Sequence, residues 1–350
     1  MTDETTTDFP ESVQTEPELE DLLTRPGAAL VDSIATVTSP LIILGAGGKM
    51  GPTLAAMARR AAIAAGHDLK VLAASRFSDD RAKQWLERQG VTTIPCDLLE
   101  SSSLSKLPDA TNVIYLVGQK FGTTKSPATT WAMNTIPPAR VVERYPKARI
   151  VALSTGNVYP LSEAGRGGSL ETDPLTPLGE YPNAAVGRER VFEFFSSRNG
   201  TPLALIRLFY AVELRYGVLV DIAQSVYADQ AIHVENGYFN CIWQGDANEM
   251  ILRALALAES PPTVWNLCRP EVFSIRKIAT RLGQLFGCEP RFSGEEAKTA
   301  LLGNSARICA ALGPPSTSLD AMLRRIAHWV KLGGRNLGKP THFEVRDGNY

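Results

Sequence analysis

Residues Leu41 to Gly51 read Leu-Ile-Ile-Leu-Gly-Ala-Gly-Gly-Lys-Met-Gly, with glycines at 45, 48 and 51. That spacing suits a phosphate. Gly45 lets a strand turn sharply, Gly48 leaves room for a pyrophosphate against the backbone N–H groups around Lys49 and Met50, and Gly51 lets a helix pack close on the strand. The aliphatic run before the glycines predicts a buried strand. The alanine-rich segment after them (Leu54, Met57, Ala58, Ala61, Ala62, Ala65) predicts a helix whose N-terminus attracts an anion. A glycine triplet is common in any α/β turn, and its position between strand and helix is what points to a dinucleotide.

Chemistry-bearing residues recur just after the later strands. Ala74-Ser75-Arg76 ends the second expected strand. No carboxylate stands there for ribose hydroxyls, and an Arg can pair with a 2′-phosphate, so NADP is favoured. Asp79 and Asp80 follow closely and keep NAD as the alternative. Asp97 and Leu98 come after the third strand, where Asp97 either accepts from an adenine amino group or serves as a turn residue. Gly118 ends the fourth strand and would let a cofactor lie close, and Ser154 ends the fifth.

The elements that position these residues alternate. Strands are expected at 69–74, 91–96, 112–118, 149–154 and 203–208, and helices at 80–89, 131–145 (interrupted near Pro137 and Pro138) and 184–197. This predicts an α/β fold, a doubly wound parallel Rossmann sheet with a smaller mixed C-terminal substrate lobe. Ligands then bind at the carboxyl ends of the strands. The expected divisions are a disordered acidic leader at 1–17, a helical arm at 18–39, the dinucleotide domain at 40–208, a lobe at 209–335 and a tail at 336–350. Residues 1–24 hold eight acidic side chains and no Lys or Arg, while Leu19, Leu22, Leu23, Leu30, Val31 and Ile34 give the arm helical spacing.

Composition narrows the class. The 350 residues are 44% hydrophobic, enough for a large core, and the net charge of -1 argues against nucleic acid as a partner. No apolar run approaches the roughly 20 residues that span a bilayer, so a cytoplasmic protein without membrane contact is expected. The five cysteines have no CxxC spacing and the four histidines lie far apart, so reduced thiols and no metal are expected.

Ser154-Thr155-Gly156-Asn157-Val158-Tyr159, a Gly- and Pro-rich loop, then Tyr181 heading a helix with Glu189 eight residues on, resembles the extended short-chain dehydrogenase/reductase family. Its better known members are sugar-nucleotide epimerases and dehydratases. The glycines at 45, 48 and 51 and the stretch Phe239 to Asp246 agree with it, and the resemblance spans residues 40 to about 335. It implies a Tyr as general acid/base, a Ser or Thr holding the substrate oxygen, and a Lys four residues after the Tyr. Tyr181 and Thr155 match the first two. A phenol with a pKa near 10 is a poor base at neutral pH unless a positive charge stabilises its phenolate.

The pattern departs at the third. Ala185 stands four residues after Tyr181, and no tyrosine in the chain has a Lys at that offset. Tyr181, Ala185 and Arg188 share a helix face, so Arg188 supplies the charge from one turn on, or is a solvated residue paired with Glu189, or a distant residue such as Lys120 fills the vacancy. Tyr159 is a core wall or a site residue, and Asn134 bonds backbone near the cofactor or lies on the surface.

Beyond residue 208, Tyr210, Arg215 and Tyr216 are dense in aromatic and cationic groups. In the resembling family this segment faces substrate, though a structural loop would explain it too. Helices are expected at 246–259 (packing back on the dinucleotide domain), 274–286 and 317–332, with a short strand at 264–267 in the lobe. The tail wraps back over a lobe or joins a neighbouring subunit, and helices on one flank of the sheet suit a homodimer. Two functions from different classes follow: hydride transfer at a hydroxyl of a sugar or sugar nucleotide, or a dinucleotide-binding sensor that lost its catalytic Lys. A scaffold subunit is a third, more distant reading.

Overall fold

The computed structural model describes residues 12–78, 80–120, 126–339 and 341–348. The expected leader falls largely on residues 1–11 and the NAD alternative partly on Asp79, all outside the described residues. Residues 12–17 are described, and Val13 is fully buried.

Seven strands form one parallel sheet: β1 (Leu41–Leu44), β2 (Val71–Ser75), β3 (Thr92–Pro95), β4 (Asn112–Tyr115), β5 (Arg149–Thr155), β6 (Leu203–Leu208) and, after two short lobe strands β7 (Tyr210–Val212) and β8 (Cys241–Trp243), β9 (Thr263–Leu267). Their spatial order is β9-β6-β5-β4-β1-β2-β3. The order reverses between β1 and β4, whose Leu44 and Tyr115 lie side by side in register. A crevice opens at such a switch point, outside the carboxyl ends. β1 is buried at all four residues because helices cover both faces, which is why it reads as an unbroken apolar run.

The helices are α1 (Glu16–Thr24), α2 (Ala28–Ile34), α3 (Gly51–Ala64), α4 (Asp80–Arg88), α5 (Pro127–Arg144), α6 (Glu180–Asn199), α7 (Val218–Tyr227), α8 (Gln244–Arg253), α9 (Ile275–Phe286), α10 (Ala306–Leu312) and α11 (Leu319–Lys331), besides shorter turns. The expected interruption near Pro137 and Pro138 is absent. Both prolines sit buried inside one continuous helix that packs along α6, and that packing carries the helix past two missing N–H donors.

The strand expected in the lobe belongs elsewhere. Residues 263–267 pair with β6 as the outermost strand of the main sheet. Helix α8 lies against α3: Gln244 Nε2 and Asn248 Nδ2 both donate to Thr53 Oγ1, at 3.0 and 2.9 Å. The lobe core gathers α7, α9 and α11, with Phe239, Trp243 and Phe273 buried among them. The arm joins the two cores, since Leu19, Leu22 and Leu23 enter the lobe cluster while Leu30 and Ile34 enter the cluster beneath the sheet.

The tail wraps back on its own chain. Thr341 donates through N and Oγ1 to Asp221 Oδ2 (3.0 and 2.6 Å), and Arg346 reaches Asn236 Oδ1 and the Thr299 carbonyl, each at 2.7 Å.

Candidate dinucleotide and substrate site

The loop after β1 turns on Gly45, whose φ of +84° is a left-handed conformation that favours glycine. A Cβ at Gly45 would stand 2.8 Å from Val117 Cγ2, and one at Gly51 would stand 2.5 Å from the Ala46 carbonyl oxygen. The helix can therefore begin hard against the turn only with glycine at 51. No side chain caps the N-terminus of α3, which leaves its first N–H groups facing the crevice loop. A Cβ at Gly118, past β4, would lie 2.4 Å from Arg188 Nη1. A side chain at any of these three would strike the protein's own atoms, so the close strand–turn–helix packing that suits a dinucleotide requires glycine there, and the residues present fit that group.

A cavity of about 290 Å³ opens at this turn. Gly45, Gly48, Lys49, Met50, Gly51, Gly118, Ser154, Thr155, Tyr181, Arg188, Tyr210 and Tyr216 all line it. Four other candidates do not. Arg76 follows β2 on the exposed surface. Asp97 accepts the Leu99 N–H at 3.0 Å in a local turn, and the Leu98 side chain is buried in the core beside β3 and β4, leaving only its backbone for a ligand. Arg215 turns away from the cavity: it pairs with Glu213 at 3.2 Å and with Glu16 of the arm at 3.0 Å. A partner 199 residues away captures the guanidinium that the sequence assigns to substrate.

Thr155 Oγ1 accepts the Asn157 N–H at 3.2 Å and donates to Asn157 Oδ1 at 3.0 Å, so it caps the turn after β5 while lining the cavity. Ser154 Oγ donates to Glu189 Oε1. Glu189 is fully buried and holds Arg207 through paired contacts, the shortest 2.6 Å. Arg207 Nη1 donates to the Tyr159 hydroxyl at 2.6 Å, which in turn donates to Asn266 Oδ1 at 2.8 Å. Burial opposes ionisation of Arg207, but Glu189 outweighs it and raises its pKa. Tyr159 is thus a core wall, its pKa pushed up to about 12 by burial.

Arg188 is 4% exposed and is no solvated surface residue. Its Nη1 donates to the Val117 carbonyl at 3.1 Å and to Asn134 Oδ1 at 3.2 Å, while its buried Nε has no hydrogen-bond partner among the described residues. Asn134 is fully buried and donates to the carbonyls of Thr130 and Gln119. The position of the missing Lys is sealed: Ala185 is fully buried in a small cluster with Val158, Tyr159 and Phe209. Phe209 lies between Gly156 and Gly303, where any Cβ would approach its ring to 2.3 Å.

Lys49 crosses the cleft. Its ammonium donates to the Ala211 carbonyl at 2.7 Å and stands 3.9 Å from the Tyr216 ring centroid. Burial lowers its pKa to about 7, with Glu213 opposing and Arg215 and Lys120 assisting. Lys120 lines the same cavity, its pKa lowered to about 8 by burial against the pull of Glu344. Asn157, Leu301 and Thr341 also line it. Asn157 lies inside the Ser154–Tyr159 motif and was findable there; Leu301 and Thr341 carry no sequence signal.

No protein-family model and no curated protein matches this sequence. Solved structures do. A putative epimerase from Burkholderia cenocepacia superposes with a TM-score of 0.69 at 18% identity, over 83% of this chain and 97% of its own. This chain shares that fold. UDP-glucose 4-epimerase from Thermotoga maritima, solved with UDP-glucose, gives 0.67 at 16% over 83% and 98%. RMD from Pseudomonas aeruginosa, complexed with NADPH, gives 0.66 at 19% over 84% and 100%. The α/β Rossmann architecture expected from the sequence is therefore the one found. Among the described residues no group of His, Cys, Asp and Glu could hold a metal, and no helix is long and apolar enough to cross a membrane.

Proposed function

We propose that the protein is a nicotinamide-dinucleotide-dependent enzyme that epimerises, dehydrates or oxidises at a hydroxyl of a sugar or sugar nucleotide. One observation carries this reading: the glycine cradle and the Thr155–Tyr181 pair line a single cavity. Backbone N–H groups of residues 49–51 would hold the pyrophosphate beside Gly48, Gly118 would let the nicotinamide half lie close, and Asp97 and Leu98 would border the adenine. Arg76 would pair with a 2′-phosphate, which favours NADP over NAD. When bound, the nicotinamide supplies the hydride acceptor.

The chain's own residues manage the proton. Thr155 orients the reacting hydroxyl, and Tyr181 takes or returns its proton. Arg188 brings a permanent positive charge to the same wall, in place of the Lys absent at 185. The sealing of Ala185 by apolar neighbours favours the second reading, a dinucleotide sensor, to the extent that no ammonium can enter there.

Turnover separates the two. Protein mixed with NADP or NAD and a panel of sugars and sugar nucleotides is expected to generate the absorbance of the reduced cofactor, or an epimerised product by NMR, with NADP the better cofactor. Tight cofactor binding with no turnover across the panel would leave the sensor. Loss of turnover in Tyr181→Phe with binding retained would place the proton on Tyr181.

A further inference from the structure

A second cavity, of about 200 Å³, lies beside the first. The two share Asn157, Tyr210 and Leu301 as walls, and Tyr181 lines one while Pro182, next in the chain, lines the other. The loop that leads into α6 supplies Leu178 to this second cavity, and the tail supplies Val345, Arg346 and Gly348. Loop and tail meet backbone to backbone at one edge, where a Cβ at Gly179 would stand 2.3 Å from the Gly348 carbonyl oxygen.

The walls are mostly apolar: Pro160, Leu161, Leu178, Pro182, Leu301 and Val345. Arg346 is the one charged residue that lines it among the described residues, and its guanidinium is taken. Nη1 donates to Asn236 Oδ1 and to the Thr299 carbonyl, and Nη2 to Thr299 Oγ1, each at 2.7 Å. The Tyr159 hydroxyl is taken as well, between Arg207 and Asn266. A diphosphate placed here would either strip Arg346 of those bonds or leave its own charge uncompensated. An apolar group displaces water and breaks no hydrogen bond. Leu178 adds to this, since it is 65% exposed and offers a large apolar side chain for a ligand to cover.

We propose that the second cavity is a subsite for an apolar group on the substrate, so that the enzyme acts on a sugar bearing an aryl or alkyl aglycone rather than a nucleoside diphosphate. The inference rests on the enzyme reading above and narrows its substrate class. The sugar lies where Tyr181 and Thr155 address its hydroxyl, and the aglycone lies past Asn157 and Tyr210, between Leu178 and Val345.

Equilibrium binding of D-glucose, phenyl β-D-glucoside and UDP-glucose to the full chain tests this without any turnover, so a failed redox assay and a failed subsite are told apart. A phenyl ring that buries roughly 60 Å² of apolar surface is expected to make the phenyl glucoside bind about tenfold tighter than glucose. The gap is expected to close in Leu178→Asn, whose exposed position tolerates the change, and in Val345→Asn on the tail, and to persist in Leu178→Met. UDP-glucose is expected to bind the parent and both Asn variants equally. Equal binding of glucose and the phenyl glucoside overturns the proposal, as does a gap that both Asn variants leave intact, or no binding of the phenyl glucoside up to about 10 mM. So does a loss of UDP-glucose binding in the Asn variants that matches the loss of the phenyl glucoside, which would give the subsite to the nucleotide.

Discussion

Glu189 and Arg207 form a buried ion pair, 0% and 3% exposed, that ties α6 to β6 directly behind the cavity. Removing one partner strands a charge in the core, at a cost of about 3–5 kcal/mol, whereas replacing both with apolar residues is far milder. Urea unfolding is therefore expected to find Glu189→Leu and Arg207→Leu each strongly destabilised, and the double variant well above the sum of the two. Additive losses would show that the pair does not act as a unit. Lys49 makes a pH-dependent prediction. Its folded pKa of about 7 lies below the ordinary 10.5, so between those values the unfolded chain holds more protons and stability rises with pH. The penalty is complete below pH 7. Parent and Lys49→Met, compared by urea midpoint, are expected to differ in the parent's favour more at pH 9 than at pH 6.5; a difference independent of pH would mean that the ammonium is solvated.

Among the elements, the arm does most to join parts that the sheet alone leaves apart. Arg60 on α3 donates to Thr24 Oγ1 at 2.6 Å and to Asp21 Oδ1 at 2.8 Å, and Trp85 on α4 donates to Glu20 at 2.7 Å. Gly27 N–H reaches Glu249 on α8 at 3.0 Å. Leu23 is fully buried in the lobe core, so Leu23→Ala is expected to cost about 2–5 kcal/mol, read as a lowered denaturant midpoint. A near-neutral result would mean that the arm docks only loosely. The elements themselves were legible because local pattern sets them: 203–208 is a strand in the sequence and in the fold, and the helices differ by a few residues at their ends. Partners were not. Residues 263–267 have a strand's composition whichever sheet they join, and nothing near Arg215 in sequence announces Glu16. Thr341 enters the cavity through a bond to Asp221, 120 residues back. Glycine positions carry their own steric reason and so could be read directly, whereas a side chain's destination depends on chain that folds later.

At the scale of the molecule, α5 and α6 pack along each other on one flank of the sheet and leave Trp131, Ile136 and Phe194 exposed at 39%, 40% and 59%. A second copy turned about a two-fold axis would bring the same faces together. Light scattering is expected to find a homodimer, with Phe194→Glu shifting it toward monomer; a monomeric parent would end that reading. The sheet's outermost strand has a further consequence, one for synthesis. β6 ends at Leu208, but its neighbour β9 is not made until residues 263–267, after the ribosome has produced β7, α7, β8 and α8. During that interval the growing chain presents a bare, apolar β6 edge, a template for pairing with the wrong strand. A message truncated within the lobe, or a nascent chain paused there, would release six of the seven strands with the β6 edge open, so the stretch of translation from residue 208 to residue 267 is a window for mispairing.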